Sequence, residues 1–290
     1  MNVLRDSAPG LDGLPFSAWA NAGDYAIDTL LNIDSWLRRG LRMPAAFNSI
    51  LQVFLPKGSH ADDDEVVARE PDTCRPLGLE GTDCKILCCA WNHAFRRHSS
   101  KHMHYTQRGF VPGRQLIQNV VDLDIHCRIA AAPSVDSRLP CLFAWDFAAA
   151  FPSVSWEWLE ILLSHMRVPI GILEFIRGIY FCVQAFAACT GSHVFFDMIH
   201  AGVLQGCPLS GLLSTWVLEP MLLALEAKCR RDTVVRACAD DIGAATTRFD
   251  EVVVLESLFS RWSRCSNLRL KPIKCNIVPL WKRGRFRLLK

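Results

Sequence analysis

The stretch TVVRACADDIGAATT, Thr233 to Thr247, sets two adjacent carboxylates, Asp240 and Asp241, between two short apolar runs. Such runs read as strands, and a short interruption between them reads as a tight hairpin with both acids at the turn. Two like charges about 4 Å apart repel by on the order of 4 kcal/mol even at an effective dielectric of 20. A fold that keeps the pair together therefore calls for a cation and a third acid. Asp146, which closes the apolar strand LPCLFAWDF, is the only acid on a comparably apolar strand in that half of the chain. Three carboxylates around two Mg²⁺ ions form the clamp used in phosphoryl transfer, so nucleotidyl transfer is the leading chemistry. Without further support, a lone Asp-Asp pair is more simply a solvated turn.

Composition narrows the setting. The 290 residues are 50% hydrophobic and 21% charged, enough to bury the core of one large domain or of two closely joined subdomains. Thirteen cysteines without a CxxC pair, behind an opening MNVLRDSAPG that lacks a signal-peptide pattern, read as reduced thiols packed in an intracellular protein. The apolar stretch VPIGILEFIRGIYFCVQAFAAC carries Glu174 and Arg177, which argues against a membrane span. A net charge of +3 gives no global footprint for a polyanion, so any basic surface is local. Arg96 to Arg114 and the tail WKRGRFRLLK are the candidates, and each alone reads as a solvated face or a frayed end. The acidic run Asp62 to Glu65 reads as a surface loop, and His98, His102 and His104 lack cysteines at zinc spacing.

The order of elements suggests the architecture. Before about residue 130 the pattern is mostly helical: DYAIDTLLNIDSWLRRGLRMP and CKILCCAWNHAFRRH read as helices, separated by the strand QVFLPK, a polar loop and a second extended piece. From Leu139 onward strands and helices alternate. LPCLFAWDF is a strand, SWEWLEILLSHM a helix with Ser155 as N-cap, and FAACTGSHVFF a hairpin turning at Gly191 and Ser192. A helix from about Pro208 to Lys228, the hairpin VVRACA/IGAAT, the helix DEVVVLESLFSRWSR and short strands around LRLK and CNIVPL follow. The expectation is an α+β layer, with helices against one face of a largely antiparallel sheet.

Several further stretches agree in order and spacing. APGLDGLP (Ala8 to Pro15), LPK (Leu55 to Lys57), RPLGLEGTDCKIL (Arg75 to Leu87), QRGFVPGR (Gln107 to Arg114), DFAAAF (Asp146 to Phe151), GVLQGCPLSGLL (Gly202 to Leu213), CADD (Cys238 to Asp241) and LRLKPIKC (Leu268 to Cys275) occur in this order. Together they resemble the motif series of a reverse transcriptase domain of the non-LTR retrotransposon type, related to group II intron enzymes. The resemblance covers roughly residues 8 to 280. It implies a right-hand polymerase with fingers mostly in residues 1–138, a palm mostly in 139–280 built from an antiparallel sheet on helices, and a basic tail 281–290 where a missing or truncated thumb would start.

It also implies roles. Asp146 and Asp240 would hold two Mg²⁺ ions, or Mn²⁺, with the backbone carbonyl of Phe147 as a further ligand and Asp241 more peripheral. Lys57 and Arg75 would grip the incoming triphosphate, although alone they read as exposed surface cations. Phe151 would press on the sugar's 2′ carbon and select dNTP over rNTP; from the residues alone it is a core aromatic at a helix start. Gly202, Gln205, Gly206 and Pro208 would support template and nucleotide, the glycines permitting close backbone approach. Lys274 would stand near the leaving pyrophosphate as proton donor or charge stabiliser. Ala149, Pro152, Leu204, Gly211 and Cys238 depart from residues the family often carries there.

The expected partners are an RNA template, a DNA or RNA primer and dNTPs, with no membrane, inside the cell and by resemblance in the nucleus. The chain would be part of a longer retroelement protein. The alternative is a catalytically inactive nucleic-acid-binding remnant or maturase-like scaffold. Retention of three mutually repelling acids argues against it. An RNA-dependent RNA polymerase is the weakest reading, since such enzymes typically place a second acid where Phe151 stands.

Overall fold

The computed structural model describes residues 8–59, 63, 69–70, 73–132, 139–180, 182–189 and 191–281. Its elements in chain order are α1 (Phe16–Asn21), α2 (Asp24–Arg38), β1 (Ser49–Pro56), β2 (Cys74–Leu79), α3 (Thr82–His102), α4 (Leu116–Ala131), β3 (Cys141–Trp145), α5 (Ala150–Ser153), α6 (Trp156–His165), α7 (Ile170–Tyr180), β4 (Gln184–Cys189), β5 (Ser192–Met198), α8 (Ser210–Lys228), β6 (Val234–Cys238), β7 (Asp241–Thr246), α9 (Glu251–Ser266) and β8 (Asn276–Pro279). The acidic run 62–65 apart from Asp63, and the basic tail beyond Trp281, lie outside the described residues.

The chain forms two compact units, each assembled from two stretches: Met1–His93 with Glu160–Ser210, and Ala94–Leu159 with Gly211–Lys290. Among the described residues there are two sheets of four strands, in the orders β2-β1-β4-β5 and β6-β7-β3-β8.

In the first unit β1 pairs antiparallel with β2 and parallel with β4, which turns back into β5 with a register shift at Ala185/Phe186. Two residues separate β4 from β5, and Gly191 among them has φ +80°, the left-handed backbone that short hairpin turns require. Helix α2 buries Ala26, Ile33 and Leu37, a helical face. It meets α7 where a Cβ on Gly178 would come within 2.5 Å of Leu37, so a bare α-carbon sets the helix separation. Helix α7 buries Leu173, Phe175, Ile176, Ile179 and Tyr180, so the apolar stretch around Glu174 packs as core. No helix among the described residues is long and apolar enough to cross a membrane.

The second unit carries the fully antiparallel sheet. β3 lies between β7 and β8, with Phe143 opposite both Ala244 and Ile277. Helix α4 crosses this sheet and sets Leu123 at 2.8 Å from where a Cβ on Gly243 would stand. Helix α9 supplies Phe259 and Trp262, whose rings pack on Trp145 and Phe147 at the end of β3. Helix α6 starts as expected, the Ser155 hydroxyl accepting the Trp158 amide at 3.2 Å. LRLK, expected as a strand, makes only an isolated bridge at Leu270 and then closes into a 3-10 turn, Pro272–Lys274. Pro272 has no amide to extend the ladder.

Phe143 is 1% exposed at the centre of this sheet. Phe143→Ala is expected to cost about 3–5 kcal/mol in urea unfolding, the range for a buried aromatic truncated to a methyl. A loss under about 1 kcal/mol would mean that β3 is not the spine of the unit.

Candidate active site

Everything at the acidic end of the second sheet follows from strand register. Trp145 pairs with Ile242 and Cys238 with Asp241, so the step beyond Trp145 brings Asp146 to the end where β7 begins. Two residues, Ala239 and Asp240, join β6 to β7. This is the tight turn expected from the sequence, and Ala239 takes φ +54°, a conformation that glycine usually supplies in such turns. A non-glycine residue held there carries strain of about 1–3 kcal/mol, which the surrounding structure must oppose.

The acids act on one another electrostatically. Burial raises the Asp240 carboxyl above its ordinary range, and the charges of Asp241 and Asp146 push it further the same way. The Cys238 thiol is raised by burial and then by Asp241 and Asp240. Lys274 Nζ lies 3.0 Å from Asp146 Oδ2, so the positive charge already beside the acids belongs to the protein. Among the described residues no three His, Cys, Asp or Glu side chains are gathered closely enough to enclose a metal ion. The donor set is nonetheless all carboxylate oxygen, which suits a hard dication such as Mg²⁺.

Lys274 reaches Asp146 because its segment is zipped onto the strand end. The Lys271 amide donates to the Asp146 carbonyl and the Ala148 amide to the Arg269 carbonyl, both at 2.8 Å. These bonds flank the Phe147–Leu270 bridge, which directs Phe147's own carbonyl away from that partner. The Phe147 ring is core, packed on Phe259 and Trp262.

Phe151 sits in the first turn of α5, after Ala149 at φ +47°. It is half-buried and meets Phe110 edge to face, with centroids 6.2 Å apart and planes at 75°. The Phe110 ring in turn rests on the bare α-carbon of Gly211, where a Cβ would approach it to 2.7 Å.

The remaining site residues proposed from sequence belong to the first unit. Arg75 is exposed opposite Leu55, and Lys57 is exposed just past β1 with its amide bonded to the Thr73 carbonyl, so both cations lie at one end of the β1–β2 ladder. Gly202, Gln205, Gly206 and Pro208 form a loop pinned to β2: the Gly78 amide donates to the Gln205 carbonyl at 2.8 Å. Gly206, at φ +118°, passes so close that a Cβ would stand 2.5 Å from the Gly78 oxygen. Here the glycine is required by the approach itself. Sequence reasoning gave no role to Gln107, which is fully buried and bonded to the Ala239 backbone.

Comparison with known proteins gives the family and the fold. The chain is 25% identical over 283 residues to the Retrovirus-related Pol polyprotein from type-2 retrotransposable element R2DM of Drosophila melanogaster, covering 95% of this chain and 25% of that protein. It is 23% identical over 246 residues to the Transposon TX1 uncharacterized 149 kDa protein of Xenopus laevis, covering 82% and 18%. The chain thus spans a quarter or less of the length of these curated relatives. Its fold is similar to that of apo telomerase from Candida tropicalis truncated from its C-terminal domain, with a TM-score of 0.58 at 10% identity over 82% of this chain and 51% of that one. Telomerase from the same organism in complex with a TWJ fragment of telomeric RNA gives 0.56 at 10% identity, over 92% and 45%. The sequence profile "Reverse transcriptase (RNA-dependent DNA polymerase)" matches residues 56–285, a span that holds every site residue named above, and the chain belongs to that family.

Proposed function

We propose that this chain is the polymerising core of a retroelement protein, extending a DNA or RNA primer with dNTPs on an RNA template, in the nucleus. One observation carries the reading: in a member of the reverse transcriptase family, register places Asp146 at the strand end where the Asp240–Asp241 turn begins, with Lys274 3.0 Å from Asp146. In this reading Asp146, Asp240, Asp241 and the Phe147 carbonyl hold two Mg²⁺ ions, for which Mn²⁺ can substitute, and these supply neutralisation of charge on the reacting phosphate. The primer 3′-oxygen forms a bond to the α-phosphorus as the bond to the bridging oxygen breaks and pyrophosphate leaves. Lys274 stabilises or protonates that leaving group, Lys57 and Arg75 take the triphosphate, and Phe151 excludes a 2′-hydroxyl. The loop Gly202 to Pro208 supports template and nucleotide.

With a primed RNA template, dNTPs and Mg²⁺, the protein should extend the primer, and Asp240→Asn should lower extension by at least about a thousandfold, the several kcal/mol expected for a lost metal ligand. An Asp240→Asn variant that polymerises like the parent would reject the assignment. A parent that binds primed RNA and never extends it would point to the inactive scaffold.

The same substitution should affect stability in the opposite direction. Because the folded Asp240 carboxyl titrates above its ordinary value of 3.8, the native state binds more protons than the unfolded one between those two values. Native stability therefore falls as pH rises through that window, and the penalty is fully present above it. In metal-free buffer at pH 7 Asp240→Asn should melt at or above the parent temperature, with the advantage fading as the buffer is acidified below the raised value. A variant that melts lower at pH 7 makes Asp240 a structural acid.

Phe151→Val should raise rNTP relative to dNTP incorporation by about tenfold or more in parallel single-nucleotide extensions, since steric exclusion by a few carbon atoms is worth about 1–3 kcal/mol. Equal loss with both substrates would make Phe151 a packing residue.

A further inference from the structure

The Ala239–Asp240 turn is held by a segment that contributes no acid. Residues Thr106 to Gly109 run beside the end of β6: the Ala237 amide donates to the Thr106 carbonyl at 3.0 Å, and the Arg108 amide donates to the Ala237 carbonyl at 2.8 Å. Between them Gln107, with 0% exposure, turns its side chain onto the turn itself. Its Oε1 accepts the amides of Ala239 and Gly109, each at 2.8 Å, and its Nε2 donates to the Ala239 carbonyl at 3.1 Å. One carboxamide thus grips a single residue by both its N–H and its C=O. That residue is the one held at φ +54°, directly before Asp240. Gly109 lies against the same residue, and a Cβ there would come within 2.1 Å of the Ala239 nitrogen, so the clamp closes only because position 109 has no side chain.

The clamp has its own anchor. The Arg114 guanidinium donates to the carbonyls of Ser100, Met103, His104 and Gln107, fixing the backbone from which the Gln107 side chain springs. Asn119 on α4 provides a contrast, because its Nδ2 donates to the Ala237 carbonyl at 2.8 Å and so supports the strand but does not touch the turn.

We propose that Gln107 is a positioning residue: it fixes the left-handed turn at Ala239 against relaxation and thereby sets the approach of the Asp240 and Asp241 carboxylates to a divalent cation. The role rests on the polymerase reading. The physical reason is that a strained two-residue turn that ends on one acid, with a second repelling acid opening the next strand, has every incentive to relax when nothing opposes it. A primary carboxamide accepts two amides at its oxygen and donates to a carbonyl from its nitrogen, two separate atoms on one planar group that can span the N–H and C=O of a single residue. Leucine has similar bulk and makes none of these bonds. Glutamate keeps the acceptor and turns a second oxygen, not an N–H, toward the Ala239 carbonyl.

The test compares Gln107→Leu, Gln107→Glu and Asn119→Ala in the full chain, below their melting temperatures. Mn²⁺ binding is followed by electron paramagnetic resonance and single-nucleotide extension by kcat and KM. Both Gln107 variants should raise the Mn²⁺ half-saturation concentration and lower kcat by at least tenfold, while KM for the primed template stays within twofold. Asn119→Ala should lower the melting temperature and leave the Mn²⁺ midpoint within twofold. A Gln107→Leu midpoint and kcat within twofold of the parent overturn the proposal, as does an Asn119→Ala midpoint shifted as far as that of Gln107→Leu, which would signal general loosening. If neither Gln107 variant folds, amide exchange in the parent decides. Slow exchange of the Ala239 amide, at least a hundredfold below an unprotected amide, supports the clamp, and exchange at the unprotected rate overturns it. If the parent never extends a primer, the polymerase reading falls while these exchange rates still judge the clamp.

Discussion

The site depends on the antiparallel register between β3 and β7, with Trp145 opposite Ile242. Side chains alternate faces along a strand, so a slip of one residue would turn Asp146 to the other face of the sheet and remove it from the acids of the neighbouring turn. What prevents the slip is apolar packing on both sides of the ladder. Phe143 is buried at mid-strand, Trp145 and Phe147 pack on Phe259 of α9, and β8 adds a second ladder along the other edge of β3. The energy that fixes the chemistry is therefore hydrophobic and remote from it. The acids themselves push the other way, since burial and mutual repulsion raise Asp240; the Lys274 ammonium stands 3.0 Å from Asp146.

This division of labour explains why the acids were legible from sequence while their support was not. Asp146 and the Asp240–Asp241 pair stand out because each interrupts an apolar run, and an expensive residue in such a place needs a chemical reason. The helices α2 and α3, the Ser155 cap and the turn at Gly191 were equally legible from local periodicity and turn chemistry. Gln107 gives no such signal. A single glutamine followed by an arginine carries no pattern, and its importance lies in which backbone it meets across more than a hundred residues of chain.

Other elements were hidden for different reasons. Helix α4 carries apolar residues toward the sheet and also leaves Leu116, Ile117, Val120, Val121 and Ile125 exposed, so no single face is picked out by its pattern. Strand order within the two sheets is a tertiary property. Nothing in Ser49–Leu51 or Gln184–Phe186 announces that they lie side by side in parallel, in a sheet separate from the one that carries the acids.

That parallel pairing between Ser49–Leu51 and Gln184–Phe186 bears on how the molecule comes into being. Its partners are far apart in sequence, so a long loop must close before any contact rewards it, which makes such pairing intrinsically slow. A ribosome delivers β1 and β2 long before β4, and during that interval one edge of β1 has no partner strand. The second unit likewise waits for β8 to cover the other side of β3. Dividing the gene at residue 138/139, where the helical pattern gives way to alternating strands, would separate β1 from β4 and leave an open sheet edge on each fragment, the feature that invites strands of other chains to pair. A soluble fragment of this chain would have to keep both crossings, because neither unit is contiguous in the message that encodes it.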